Sequence, residues 1–313
     1  MSIYEHFEKH AHRTFEEAAE RYLLEFTGKD LTRQMTALRS VAPYINHLRL
    51  IEVDDEAMAQ FKHDRQNGVG PFTKPAMAGT TNKELTTVVT VLNKASRVWR
   101  WIPSAPKLLH VDGDVREAYP ITWEEQDRLF GELNVWEMFA ALFAINTGVR
   151  KSELFGLRWE DMRPIPSLDT FVFILRDTKN SQDRAVICNS IARRAVYNMR
   201  ESDSEFIFPA RFTMPAKDGS RYECKIRQSG KVWAQAWRRA GLPSDKLTRA
   251  GIHNLRHSAG ARLRAADVPE EDRGFLLGHN NASLVQHYAL PSIERLSAMA
   301  ERITTRKESI LLR

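Results

Sequence analysis

The sequence predicts a mainly α-helical chain that carries one small β-hairpin and divides into two domains. Three observations predict this. Apolar residues recur at helical spacing along most of the chain, as in the stripe Phe15, Ala18, Tyr22 and Phe26. Two short runs, Phe171 to Leu175 and Arg184 to Ile187, have the composition of β-strands. A junction with Pro103, Pro106 and the turn Asp112-Gly113-Asp114 interrupts the helical pattern about a third of the way along. A length of 313 residues suits two domains at the usual ~100–200 residues each. We place a small all-helical domain at 1–106, a linker at 107–119, and a mixed α+β domain ending in a tail helix at 120–313.

The elements follow in order. Thr14 and Glu17 form a capping box that opens a helix over 14–27. A second helix covers 31–50 and is interrupted or bent near Pro43. A third runs from Asp54 to Asn67-Gly68, and a Gly- and Pro-rich loop follows to Gly79. A fourth spans 81–102, with Leu85, Val88, Leu92, Ala95, Trp99 and Ile102 on one side. In the second domain, Thr122 and Glu125 make another capping box. Helices at 123–132 and 135–146 then lead to the turn Thr147-Gly148. The two strands follow, with Lys179 between them. Helices recur at 190–200, 229–240, 253–266, 270–277 and 281–288, and the tail 292–313 reads as helical.

The net charge is +6, of which 1–110 carry +2 and the remainder +4. That permits a polyanionic partner, but any strong field must come from local clustering. The two cysteines, Cys188 and Cys224, form no CxxC pattern and suggest no disulfide framework. The N-terminus lacks the basic start and apolar stretch of a signal peptide, and no window approaches the ~20 apolar residues of a membrane span. The expectation is a cytoplasmic protein without membrane contact.

Arg150, Lys179, His253, Arg256, His279 and Tyr288 follow one another through the second half of the chain. Together they contain what attack on a phosphodiester requires without a metal. Two guanidiniums can clamp a phosphate. A lysine can protonate a leaving oxygen, histidines can move or donate a proton, and a tyrosine can be the nucleophile. Each has a plainer explanation: a helix-cap arginine, a packing tyrosine with a satisfied hydroxyl, a bracing histidine. Glu153 can hold Arg150 in place or simply complement a helix N-terminus. His253 and Arg256, three apart, share a helix face, and His257 fits best as a structural brace. Lys151 and Lys217 lie in no hairpin and are poorer general acids than Lys179. His6, His10 and His12 have no matching Cys or acidic box, so no metal and no cofactor are expected.

The local wording points further. Thr147-Gly148-Val149-Arg150-Lys151-Ser152-Glu153-Leu154, His253-Asn254-Leu255-Arg256-His257-Ser258 and Leu276-Leu277-Gly278-His279, with Tyr288 nine residues later, resemble the three boxes of the tyrosine recombinases, the phage-integrase family. Thr178-Lys179-Asn180, with Arg184 and an apolar run after it, resembles the family's lysine-bearing β-hairpin. The resemblance covers about 120–290, and the N-terminal third matches only in general pattern. It implies a helical core-binding domain and a tyrosine-recombinase catalytic domain. Tyr288 would attack DNA to form a 3′-phosphotyrosyl bond, Arg150 and Arg256 would clamp the phosphate, and Lys179 would be the general acid. His253 and His279 would serve acid–base and phosphate contacts, with Glu153 and His257 in support. The implied partners are double-stranded DNA with specific sites, further copies of the chain in a tetramer on two sites, and accessory DNA-bending or directionality proteins. The working location would be the nucleoid. Lys83, Lys94, Arg97 and Arg100 on the fourth helix, interleaved with Trp99 and Trp101 and opposed by Glu84 alone, read by themselves as a solvated helix face with core tryptophans; the resemblance implies instead that they track DNA phosphates.

Two features depart from the larger members of that family. Little sequence precedes the first predicted helix, which leaves small room for an arm-binding module. Ala265-Ala266-Asp267 stands where the family often has a glycine, which should alter a turn rather than the chemistry. The alternatives are a type IB topoisomerase-like DNA cutter, a catalytically silent DNA-binding accessory protein, and a zinc hydrolase using His253, His257, His279 and His287. The tail stripe Ile293, Leu296, Met299, Ala300 and Ile303 must bury against something: an average terminal helix packs on its own domain, whereas the resemblance implies docking on a neighbouring protomer, which is the expectation.

Overall fold

Capping chemistry sets where the helices begin. In the structure, a computed structural model, residues 3–113, 115–176, 183–200, 204–209, 213–215, 221–223, 230–245, 247–248, 250–278 and 292–306 are described. The chain gathers into two compact units, Met1–Val115 and Arg116–Arg313.

The first unit is helical throughout: α1 (Ile3–His10), α2 (Phe15–Leu24), α3 (Leu31–Ile45), α4 (Ala59–Asn67) and α5 (Ala78–Arg97). The Thr14 hydroxyl accepts the Glu17 N–H, and the Glu17 carboxylate accepts the Thr14 N–H at 3.0 Å. This is the reciprocal cap read from the sequence. Asp30 caps α3, which tolerates Pro43 but ends two residues later, at Ile45. Helix α4 starts later than expected, because Asp54 caps a turn at Ala57 instead of a helix. Gly68, at φ 69°, closes it in the left-handed conformation that favours glycine. Helix α1 was not expected at all.

The core of this unit joins Phe15 and Tyr22 of α2, Val41 and Ile45 of α3, Phe61 of α4, and Leu85, Val88 and Leu92 of α5. Here the fourth predicted helix needs correcting. Helix α5 stops at Arg97, and Arg100 takes a left-handed φ of 55°. Trp99, Trp101 and Ile102 are therefore buried beyond the helix, not along it. The Trp99 indole N–H bonds the Glu25 carboxylate at 3.0 Å, and the Arg21 guanidinium covers both indole rings. The tryptophans are core, and they do not interleave with a basic helix face. Residues 109–112 are tied to this unit: Asp55 accepts the Leu109 N–H, and Asn82 bonds both backbone groups of Val111.

The second unit holds α6 (Trp123–Gly131), α7 (Val135–Thr147), α8 (Lys151–Gly156), β1 (Met162–Ile165), β2 (Thr170–Leu175), β3 (Arg184–Ile187), α9 (Ser190–Tyr197), β4 (Thr213–Pro215), β5 (Arg221–Glu223), α10 (Gly230–Arg239), α11 (Asn254–Ala265), α12 (Glu270–Leu277) and α13 (Ile293–Glu301). The expected capping box of Thr122 and Glu125 opens α6. The expected hairpin strands are β2 and β3, which pair antiparallel with Val172 opposite Ile187. β1 adds an edge strand on the other side of β2. β4 and β5 form a separate antiparallel pair.

Strand β2 is apolar from Phe171 to Leu175 because both its faces are covered. Phe171, Phe173 and Leu175 face a core built with α7, α9, α10 and α11. Val172 turns the other way and, with Ile187 of β3, packs on Leu263, Leu276, Leu277, Leu296, Ala300 and Ile303. This second layer corrects the expectation for the tail. The stripe on α13 is buried within its own unit, because that face of the sheet would otherwise lie open. Glu301 accepts the Ser190 N–H, Arg295 pairs with the buried Asp272, and Arg306 makes two bonds to Asp127. Residues 307–313 lie outside the described residues. In the turn after α11, Asp267 takes the left-handed conformation, at φ 54°. No helix among the described residues is long and apolar enough to cross a membrane.

Candidate active site

Two left-handed glycine turns aim two guanidiniums. Gly148 ends α7 at φ 65°, and Gly278 ends α12 at φ 64°. The Gly148 carbonyl accepts from Arg256 Nη1 at 2.7 Å, and the Gly278 carbonyl accepts from Arg150 Nη2 at 2.9 Å. A side chain at Gly148 would strike Leu277, since its Cβ would lie 2.4 Å from a Leu277 methyl. Glycine is thus required there for both backbone conformation and space.

Arg150 stands at the N-cap of α8. Its backbone N–H donates to Glu153 Oε2 at 2.8 Å, and its Nη1 donates to Glu153 Oε1 at 2.7 Å. Glu153 therefore serves as both cap and anchor. Arg256 lies on the first turn of α11 and is only 7% exposed. That helix is stitched to the chain before α6. The Asn254 side chain bonds both the N–H and the carbonyl of Tyr119, and the Ser258 hydroxyl accepts the Ile121 N–H at 3.0 Å. His253 is the N-cap of α11 and is exposed, with its ring edge-on to half-buried His257 at 5.1 Å between centroids.

Sequence reasoning missed one member of the cluster. Arg184 is the first residue of β3, and in the sequence it reads only as part of the hairpin pattern after Lys179. Its Nη2 donates to Glu153 Oε2 at 2.8 Å. Burial tends to raise the Glu153 carboxyl, but the Arg184 and Arg150 guanidiniums and the Arg150 N–H outweigh it and hold the group below the usual carboxylate range. Burial, with repulsion from Arg150 and Arg184, brings Arg256 down to about 10, so it remains charged at neutral pH. Burial likewise lowers Arg184, with Glu153 opposing.

Two guanidiniums thus share one carboxylate with a third, that of Arg256, near enough to feel them, and positive charge is in surplus among the described residues of this cluster. Such a place suits an anion whose oxygens accept several bonds at once. Lys179, His279, Tyr288 and His287 lie outside the described residues, as does Lys217, whose expected place outside any hairpin is corrected because it falls between the paired strands β4 and β5. Lys151 is exposed. Among the described residues no three His, Cys, Asp or Glu side chains are grouped to hold a metal, and His10 stacks on Trp101.

In the helical unit the four candidate DNA-contacting cations separate. Lys83 and Arg97 are exposed on α5, whereas Lys94 pairs with Glu25 at 3.4 Å. Arg100 lies beyond the helix. Glu84 does not offset them at the surface, because it is buried against Arg65.

The comparisons with known proteins agree with a mainly helical unit that carries a small three-stranded antiparallel sheet. The phage integrase family profile matches residues 121–295, more than half of the sequence, and the chain belongs to that family. It is 24% identical over 247 residues to the integrase of Salmonella phage P22, covering 76% of this chain and 62% of that relative. The match therefore spans less than two thirds of the relative's length. The fold is similar to that of lambda integrase in a dimer bound to a COC′ core site, with a TM-score of 0.64, 13% identity, and 97% of this chain and 81% of that one covered. It is also similar to lambda integrase in a tetramer bound to a Holliday junction, with a TM-score of 0.61, 15% identity, and 87% and 79% covered.

Proposed function

We propose that this chain is a site-specific DNA recombinase that cuts and rejoins strands through a 3′-phosphotyrosyl intermediate. The observation that carries the reading is the convergence of Arg150 and Arg256, each aimed by a glycine carbonyl, in a member of this family. The Tyr288 hydroxyl loses its proton and its oxygen attacks the phosphorus. The bond to the 5′ oxygen breaks, and Lys179 protonates that oxygen. His253 acts as the base or as a donor to the phosphate, and His279 adds a hydrogen bond to it. A phosphodiester carries one negative charge, and the five-coordinate transition state carries a second. Preorganised guanidiniums favour that state because they need no reorientation as the charge develops. Attack by the freed 5′-hydroxyl of a partner strand reverses the step, so the bond energy is conserved and no cofactor is consumed.

Specific duplex sites are the substrate, and four copies of the chain on two sites exchange strands in sequential pairs. The DNA-bound lambda integrase assemblies support this part of the reading. Accessory DNA-bending or directionality proteins would set the outcome. The work would take place on the nucleoid, in the cytoplasm.

The test is a nicked suicide substrate. Tyr288→Phe should bind DNA as the parent protein does and trap no SDS-resistant covalent complex. Undiminished trapping by that variant would overturn the assignment of the nucleophile.

A further inference from the structure

We infer that Arg184 is a positioning residue for the Arg150 phosphate clamp, and that it acts by sharing the charge of Glu153. The inference rests on the recombinase reading and adds a residue to it. Three observations carry it.

The first is how Glu153 is divided. Its Oε1 takes the Arg150 guanidinium at 2.7 Å, and its Oε2 takes both the Arg150 backbone N–H and Arg184 Nη2 at 2.8 Å. The second is a common brace. A Cβ at Gly278 would lie 2.1 Å from Arg184 Nη1, so the guanidinium packs directly against that glycine. The carbonyl of the same glycine holds Arg150 Nη2. Arg184 and Arg150 are therefore fixed by the same two groups, Glu153 and Gly278. The third is how little else holds Arg184. Its side chain is 11% exposed, Glu153 is its one ion-pair partner among the described residues, and its Nε and Nη1 are buried there without a hydrogen bond.

A buried arginine with two idle donors is poor architecture, since desolvation costs about as much as a single ion pair returns. Its position makes sense through charge. A buried carboxylate held by Arg150 alone would cancel that guanidinium and leave little field for a phosphate. Divided between two arginines, the carboxylate still orients Arg150 but no longer neutralises it. The surplus then matches the second negative charge that the transition state gains. The register of the sheet fixes this placement, because Arg184 pairs with Leu175 at the end of β2.

The experiment is a double-mutant cycle, read as the single-turnover rate of covalent-complex formation on the nicked suicide substrate. DNA affinity is measured separately by gel shift, and folding by thermal melt. Arg184→Met should leave DNA affinity within about twofold and slow cleavage by about 100-fold. Arg184→Lys, which keeps the charge, should retain most of the rate. Adding Glu153→Gln to R184M should recover about tenfold, because it removes the carboxylate that then neutralises Arg150. A merely space-filling role predicts the opposite, a further loss. If R184M does not fold, Arg184→Gln carries the same comparison, alone and with E153Q, since it keeps a hydrogen bond to Glu153 without the charge. Cleavage at the parent rate in the neutral Arg184 variants, or no recovery with E153Q, would overturn the inference. Absence of any covalent complex with the parent protein would instead overturn the recombinase reading itself.

Discussion

The helical unit and the catalytic unit each bury a glutamate against arginine, and they do it with different charge balance. Glu84 and Glu153 have side chains that are equally hidden, each 8% exposed. Glu84 meets one arginine: Arg65 gives Nε and Nη2 to its two oxygens at 2.9–3.2 Å, and its guanidinium lies over the Phe72 ring. The charges cancel, and the pair joins α4 to α5. Glu153 meets Arg150 and Arg184, with Arg256 close enough to repel both. A balanced buried pair ties elements together. An unbalanced one keeps free charge for a ligand.

The largest effect should come from unbalancing the balanced pair. Arg65→Met leaves Glu84 buried without a partner, which should cost about 3–5 kcal/mol. Replacing both, as in R65M with Glu84→Met, should restore most of that loss, because two apolar side chains replace two desolvated charges. Urea unfolding followed by tryptophan fluorescence measures it, since Trp99 and Trp101 report the helical unit. A loss under about 1 kcal/mol for R65M, the range of exposed pairs, would remove the basis for calling that pair structural.

A smaller effect should separate the catalytic carboxylate by pH. Burial alone would raise Glu153, but Arg184 and Arg150 hold its folded value below the ordinary ~4.3. A carboxyl depressed on folding adds stability above its unfolded value and loses that contribution as pH falls through its folded value. The parent protein should therefore lose stability below about pH 4.3, with this one group contributing at most about 1.4 kcal/mol per pH unit. The E153Q variant should show a shallower acid limb. Parallel stability curves for the two proteins would mean that the arginines do not hold the carboxylate ionised.

The cap at Arg150 was legible in the sequence because Glu153 lies only three residues on, whereas the bond from Arg256 to the Gly148 carbonyl spans 108 residues and no local pattern announces it. Arg184 was not legible either, because its bond to Glu153 spans 31 residues and forms only when β3 returns beside β2. Strand β1 was hidden by Pro164, which a strand accommodates at a sheet edge but which reads as a breaker. The end of α5 was misplaced because Arg100 supplies the left-handed turn without the glycine that usually announces it. The apolar tail stripe was read correctly as needing a partner. Periodicity says that a face is buried and not which surface covers it, and here the cover is the sheet face of Val172 and Ile187.

The smallest effect carries the contrast between paired and unpaired charge to the surface of α5. Lys94 already has Glu25 at 3.4 Å, so a DNA phosphate there would compete with a carboxylate. Lys83 and Arg97 are exposed and make no ion pair among the described residues. A cation that contacts phosphate releases about one counterion, and its loss lowers the slope of log affinity against log salt by about 1. Lys83→Ala and Arg97→Ala should each reduce the slope by about that amount, equally for specific and unrelated duplexes, because phosphates carry no sequence information. Lys94→Ala should change it less, since its removal frees Glu25 while deleting only a partly neutralised charge. Gel-shift titrations from low to moderate salt provide the slopes. At saturating DNA, covalent-complex yield should stay at the parent level in all three variants. Equal slopes for the parent protein and a Lys83→Ala, Arg97→Ala double variant would exclude this face of α5 from the DNA interface.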